Sequence, residues 1–229
     1  MAKIKKKEIK SAHSNSYIHK DSKDFKLQLA KAVKHLSQND KIMQEIIKNA
    51  GACGIKPHKK YFETLVKSIV SQQLSVKAAA SIFKRFKDLF GAKNFPSPEA
   101  IIAMPDDRLR GCGLSYPKAG YLKDLSVKVL DGTVKINKMG RLTDEEIINE
   151  LIQVKGIGVW SAHMFLLFCL GRLNVYPVGD LGIRNAVVKN YNLRKHPDEK
   201  KMRVISKKNK WEPYHSVAAW YLWASLKNK

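Results

Sequence analysis

Two stretches of the chain between them combine glycine, proline and carboxylate residues in patterns suited to binding phosphate or stabilising positive charge. In the first, Gly156 and Gly158 separate an apolar helical segment reaching Val154 from another that starts near Val159. Glycine adopts backbone dihedrals that other residues avoid, and a helix starting just after such a turn presents successive N–H groups. That arrangement can seat a phosphate oxygen. A plain interhelical turn needs the same two glycines. In the second stretch, Pro177, Val178 and Gly179 lead into Asp180, followed by Leu181, Gly182, Ile183 and Arg184. A carboxylate there can stabilise developing positive charge or orient a water. Asp is equally a preferred N-cap, in this case for a helix over Leu181–Tyr191.

The bulk composition narrows the setting for those groups. The 229 residues carry 43 Lys and Arg against 20 Asp and Glu, a formal net charge of +23. Such a field draws polyanions, nucleic acid first and an anionic membrane surface second. An apolar fraction of 44% is ordinary for a globular chain and excludes wholesale disorder. No apolar run is long enough to span a bilayer, and no apolar stretch follows the N-terminal lysines as a signal peptide requires. The expectation is a soluble, intracellular protein with no membrane partner. Cys53, Cys112 and Cys169 form no Cys-x-x-Cys pair, so thiols alone assemble neither a zinc site nor an iron–sulfur cluster.

The elements that must position the two stretches read as helices, and the fold class is all-α. Residues 1–23 are rich in lysine and poor in large apolar side chains, the composition of a flexible basic tail. From Asp24 onward the apolar spacing is helical. Phe62, Leu65, Val66, Ile69, Val70 and Leu74 share one helical face, which ends at Ser71, Gln72 and Gln73. Ser75 can cap the next helix, which turns Ile82, Phe83, Phe86 and Leu89 inward and stops at Gly91. Ser97 with Pro98 opens a short helix, and Ser115 opens one running to Leu130. Thr143 and Glu146 form a capping box for a helix expected to reach Val154. The segment from Val159 to Leu170 is apolar almost all round and is expected to be central. Helices over Leu181–Tyr191, Asp198–Ser206 and beyond Pro213 complete the chain.

The glycine hairpin followed at this distance by Gly179 and Asp180 resembles the helix-hairpin-helix, Gly/Pro-Asp (HhH-GPD) superfamily of DNA glycosylases. Three further blocks carry the resemblance. Phe62 to Ala79 is similar to the segment bearing the intercalating wedge in the alkyladenine branch. Gly113, Leu114, Ser115, Tyr116 and Lys118 resemble that branch's Gly-Leu-Ser-Tyr-x-Lys turn. The block from Trp211 to Trp223 matches near the C-terminus. Together they span residues 25–226, and the branch indicated is that of the 3-methyladenine DNA glycosylases.

The resemblance implies an enzyme that flips an alkylated purine, such as 3-methyladenine or 7-methylguanine, out of duplex DNA. It then hydrolyses the N-glycosidic bond and leaves an abasic site. Asp180 would be the catalytic carboxylate, because breaking that bond builds positive charge on the sugar. Trp160 and Trp223 would line the base pocket, where an electron-rich ring face suits a cationic purine; Trp220 reads as core. Ala224 stands where the bacterial relative has an aromatic residue, which implies a more open pocket. Gln73, with Leu74 beside it, would be the wedge filling the vacated space in the duplex. Gly156, Gly158, Ser161, Lys77, Lys118 and Arg184 would touch the DNA backbone, with Lys189 a further candidate. Family members that also cut the strand carry a lysine two residues after the second hairpin glycine; Trp160 occupies that position, which implies a monofunctional enzyme. The implied architecture is a helical barrel over residues 63–172 and a second helical domain over 24–62 with 173–229, the active site lying in the cleft between them. No organic cofactor and no iron–sulfur cluster is required, and a monovalent cation, Na+ or K+, can be held by the 154–158 hairpin carbonyls. The partner is double-stranded DNA containing damaged bases, met by a monomer.

Two other readings use the same residues. A non-catalytic helix-hairpin-helix module accounts for the charge and the hairpin but leaves Asp180 and the aromatic pair without a role. A bifunctional glycosylase/lyase for oxidised bases would need an amine nucleophile where Trp160 stands.

Overall fold

In a computed structural model, residues 22–91 and 94–227 are described, and every regular element among them is helical. In chain order these are α1 (Ser22–Asn39), α2 (Lys41–Ala50), α3 (Tyr61–Ser71), α4 (Val76–Asp88), α5 (Pro98–Ala103), α6 (Asp106–Gly111), α7 (Tyr116–Leu130), α8 (Asp144–Leu151), α9 (Val159–Met164), α10 (Leu181–Asn190), α11 (Glu199–Lys208) and α12 (His215–Ser225). A 3-10 turn lies at Ile136–Arg141 and a π-helical turn at Phe165–Cys169. The all-α expectation therefore holds.

Boundaries follow local chemistry. Ser75 and Ser97 accept N–H bonds from Ala78 and Ala100. The Thr143–Glu146 capping box closes in both directions: Glu146 N–H donates to Thr143 Oγ1 and Thr143 N–H to Glu146 Oε2. The expected N-terminal tail of 1–23 needs correction at its end, because Ser22 and Lys23 already belong to α1; residues 1–21 lie outside the described residues. α8 stops at Leu151 rather than Val154. The N–H groups of Gln153 and Val154 reach back only three residues, to Glu150 and Leu151, which tightens the chain into the hairpin. The segment after Val159 is not one α-helix to Leu170: Leu170 N–H bonds to Phe165 O, five residues back. α6 and the 3-10 turn are additions that apolar periodicity did not indicate.

The chain forms two compact units. One is Lys60–Ala162; the other joins residues 22–59 to 163–227. Residues 163–172, expected with the barrel, group with the second unit. In the first unit, α7 packs on α3, α5 and α6. Leu65, Ile69, Phe86, Ile101, Leu109 and Leu122 are fully buried there.

In the second unit α12 is the central helix, with α1, α2 and α10 packed on it. Its core includes Leu36, Met43, Trp211 and Tyr221, all inaccessible to solvent or nearly so. Each such side chain contributes roughly 1.5–3 kcal/mol relative to exposure. Asp40, buried at 3% exposure, separates α1 from α2. Its Oδ1 accepts the N–H bonds of Ile42 and Met43, and its Oδ2 accepts Tyr191 Oη and Trp211 Nε1. Four donors compensate the removal of that charge from water.

Candidate functional site

Asp180 sits where backbone and side-chain constraints meet. Its N–H bonds to Pro177 O at 2.9 Å, closing the turn that follows Pro177. It is the N-cap of α10, with Oδ1 accepting Ile183 N–H at 2.8 Å. The same oxygen accepts Trp223 Nε1–H at 2.9 Å, from α12. Only 9% of the residue is exposed. The bonds that start the helix also fix the carboxylate's orientation, so the cap role leaves room for a chemical one. Gly182 makes room for this pairing, since a Cβ there would lie 3.0 Å from the Trp223 ring and 3.1 Å from Asp180 Oδ1.

Trp223, half-buried, stacks on Phe168 with ring centroids 5.8 Å apart and planes 26° apart. Phe168 lies in the π-helical turn and is 38% exposed, while its neighbours Leu166, Leu167 and Cys169 are buried. The wider turn re-aims one aromatic ring out of an otherwise interior segment, a distortion common at functional sites. Asp180, Trp223 and Phe168 thus form a carboxylate beside a partly open aromatic surface. Sequence reasoning missed Phe168. In a run apolar on all sides, nothing in residue type separates an inward Phe from an outward one.

Other expected contacts in this unit are tied down internally. Arg184 Nε donates to Pro197 O at 2.9 Å. Lys189 Nζ donates to Ser225 O at 3.1 Å, which turns it toward the end of α12.

In the first unit, the hairpin between α8 and α9 turns on a glycine with positive φ, a conformation open to it without strain. Gly156 has φ +81°, and a Cβ on it would lie 2.2 Å from the Tyr121 ring. Ile157 N–H bonds to Val154 O, and Ala162 N–H bonds to Gly158 O at the start of α9. Gly156, Gly158 and Trp160 are exposed, the last at 52%, and Ser161 is buried. An exposed N-terminal turn is the form an anion seat takes.

The turn between α3 and α4 carries Gln73 at φ +56°, a left-handed conformation unusual for a residue other than glycine. Gln73, Leu74 and Lys77 are all exposed to solvent, Gln73 and Leu74 at the turn itself. Lys118 does not stand free for a phosphate: Nζ donates to Val70 O at 2.8 Å and to Gln72 O at 2.7 Å. Two of its three protons are thereby used inside the protein. The neighbouring Gln72 donates from Nε2 to Gly156 O at 2.7 Å. Gln72 is a second residue that the sequence did not single out.

The three cysteines are free thiols: Cys112 is buried in the first unit, and Cys53 and Cys169 belong to the second. No helix among the described residues is long and apolar enough to cross a membrane.

Comparison with known proteins bears on what this geometry serves. Residues 66–212 match the family described as HhH-GPD superfamily base excision DNA repair protein. DNA-3-methyladenine glycosylase 1 of Schizosaccharomyces pombe is 38% identical over 205 residues, covering 87% of this chain and 88% of that protein. Alkylbase DNA glycosidase-like protein mag2 of the same yeast is 30% identical, covering 89% and 94%. Among solved structures, the S. pombe 3-methyladenine DNA glycosylase in complex with abasic DNA is similar at TM-score 0.73 and 36% identity, over 86% of this chain and 97% of that one.

Proposed function

The chain belongs to the HhH-GPD superfamily of base excision DNA repair proteins, and from that membership we propose that it is a monofunctional DNA glycosylase acting on alkylated purines in duplex DNA. The observation that carries the proposal is the setting of Asp180, a buried helix-capping carboxylate whose Oδ1 is held by Ile183 N–H and Trp223 Nε1–H.

In the proposed reaction the bond between the sugar C1′ and the purine nitrogen breaks, and its electron pair leaves with the base. Positive charge develops on the sugar, where the Asp180 carboxylate stabilises it, orients the water that adds to C1′ and takes the proton that water gives up. An alkylated purine already carries positive charge, so it leaves readily and stacks on the faces of Trp223 and Phe168. Trp160, exposed just after the hairpin, is proposed to offer an aromatic face to the turned-out base. It stands where a strand-cutting relative would place its amine, so no covalent sugar–enzyme adduct forms and the abasic strand stays intact.

Gln73 and Leu74 are proposed to fill the duplex as the base turns out, and Gly156, Gly158 and Ser161 to seat a backbone phosphate. Lys77 and the remaining donors of Arg184 are proposed as further phosphate contacts. A monovalent cation at the hairpin fits the donors present. Val154 O and Gly156 O accept hydrogen bonds from Ile157 N–H and Gln72 Nε2 and each keeps a second lone pair; these carbonyls would hold the ion, whose charge would favour a nearby phosphate. Hydrolysis itself calls for no organic cofactor or iron–sulfur cluster. The enzyme is proposed to act as a monomer wherever the cell keeps its DNA.

The test is release of free base from methylated duplex, wild type beside Asp180→Asn. Wild-type release of 3-methyladenine or 7-methylguanine, with undiminished DNA affinity but no release in the variant, is the expected result. Equal release by both would overturn the role of Asp180, and borohydride trapping of a protein–DNA adduct would overturn the monofunctional reading. Binding should weaken by roughly 0.9 in log affinity per unit log salt for each phosphate neutralised.

A further inference from the structure

Four residues of the first unit connect the α3–α4 turn to the hairpin, and three of them share one side of α7. Lys118, at the start of α7, holds the carbonyls of Val70 and Gln72. One turn on, the Tyr121 ring packs against Gly156, so closely that only glycine fits. One turn further, Asp124 Oδ2 accepts the N–H of Lys155 at 2.8 Å. Spacings of three along a helix place these side chains on neighbouring positions of one face. Asp124 is itself steadied by Lys128, whose Nζ donates to both its oxygens. Partial burial works against its charge, but the Lys128 ammonium and the Lys155 N–H outweigh it and hold the carboxyl below its usual range. The fourth residue, Gln72, closes the circuit directly by donating from Nε2 to Gly156 O at 2.7 Å across 84 residues of sequence.

The circuit surrounds a strained residue. Gln73 holds φ +56°, a conformation that costs of order 1 kcal/mol for a residue with a side chain and persists only where neighbours impose it. Lys118 and Gln72 impose it from the preceding residue, by its carbonyl and by its side chain. The exposed turn and the exposed hairpin are thereby set at a fixed separation on one rigid strut.

We propose that Gln72 is a positioning residue that locks the Gln73 turn to the 156–158 hairpin, so that the wedge enters duplex DNA in register with the phosphate held by the hairpin. The inference rests on the functional reading above, in which Gln73 is the wedge. Gln72 acts through Gln73 and touches no reacting atom. Lys118 serves the same end from α7, which is why its ammonium faces carbonyls and not solvent.

The experiment is a double-mutant cycle between Gln72→Met, which keeps length but removes the amide donor, and Gln73→Ala. Two readouts are taken: single-turnover base release from methylated duplex, and fluorescence of 2-aminopurine placed opposite a tetrahydrofuran abasic site, which reports wedge insertion. Gln72→Met is expected to slow base release about ten- to a hundredfold, the scale for a misplaced group, and to suppress the fluorescence change, with affinity for undamaged duplex retained. In the Gln73→Ala background the same substitution should have no further effect, because the residue it positions is gone. Any general loss of stability appears in both backgrounds and cancels in the cycle. Additive effects, or a Gln72→Met variant with wild-type fluorescence change, would overturn the inference. Absence of base release by the wild type would instead overturn the functional reading, while the fluorescence arm would still report the coupling of positions 72 and 73.

Discussion

Trp223 donates its indole N–H to Asp180 Oδ1 at 2.9 Å, joining the last helix of the chain to the carboxylate that starts α10. Apart from the aromatic wall proposed for Trp223, the bond itself sets the direction of the carboxylate. Trp223→Phe keeps a ring at the position and removes the donor. A hydrogen bond to a charged group contributes about 1.5–3 kcal/mol, so base release should fall roughly ten- to a hundredfold. Single-turnover kinetics on methylated duplex, with DNA affinity measured alongside, checks this; an unchanged rate would mean that the indole N–H does not position Asp180.

Phe168 is exposed by the π turn and stacked on Trp223. Phe168→Ala should weaken selection of cationic purines by about tenfold, the scale of a cation–π contact. Its effect on Tm should be small, because the ring is already 38% exposed. Competition between 7-methylguanine and a neutral etheno-base in one duplex pool would show it, since only discrimination between the two, and not the general rate, should change.

Gly156→Ala places a methyl 2.2 Å from the Tyr121 ring at a positive φ. The hairpin must shift, so DNA affinity should drop and the salt dependence of binding should flatten by roughly 0.9 for each phosphate that the hairpin no longer neutralises. Gly158→Ala meets nothing within 4 Å and should be milder. Equal salt slopes in wild type and Gly156→Ala would remove the hairpin from the DNA footprint.

His215 supplies a pH dependence unrelated to the reaction. Burial, with the nearby Arg203 charge adding to it, depresses this imidazole to about 4. Its two ring nitrogens face Ser206 Oγ at 2.7 Å and Asn174 Oδ1 at 2.6 Å, a pair of partners that one neutral tautomer satisfies. Below the unfolded value of about 6.5 the unfolded chain binds a proton that the folded chain does not. Stability present above pH 6.5 is therefore lost as pH falls toward 4, by at most about 3 kcal/mol. Urea unfolding at pH 7.5, 6 and 5 should show the decline, and His215→Gln should lessen it.

What the sequence determined by itself is what short-range chemistry specifies. The capping hydroxyls at Ser75, Ser97 and Thr143 accept the N–H bonds their positions imply, since a cap involves residues only three apart. Gly156 takes the left-handed turn its lack of a Cβ allows, and Asp180 starts α10 as any helix-opening Asp can. Which polar groups meet depends instead on packing between distant segments. Lys118 looked like a surface cation because its carbonyl partners at Val70 and Gln72 lie 48 and 46 residues away. The role of Gln72 is invisible in its neighbours because its acceptor is a hairpin carbonyl 84 residues distant. Phe168 could not be told from its buried neighbours until a π turn rotated it outward. Local propensity is written in neighbouring side chains, whereas the partner of a long-range donor is fixed only when packing brings two distant backbones within about 3 Å.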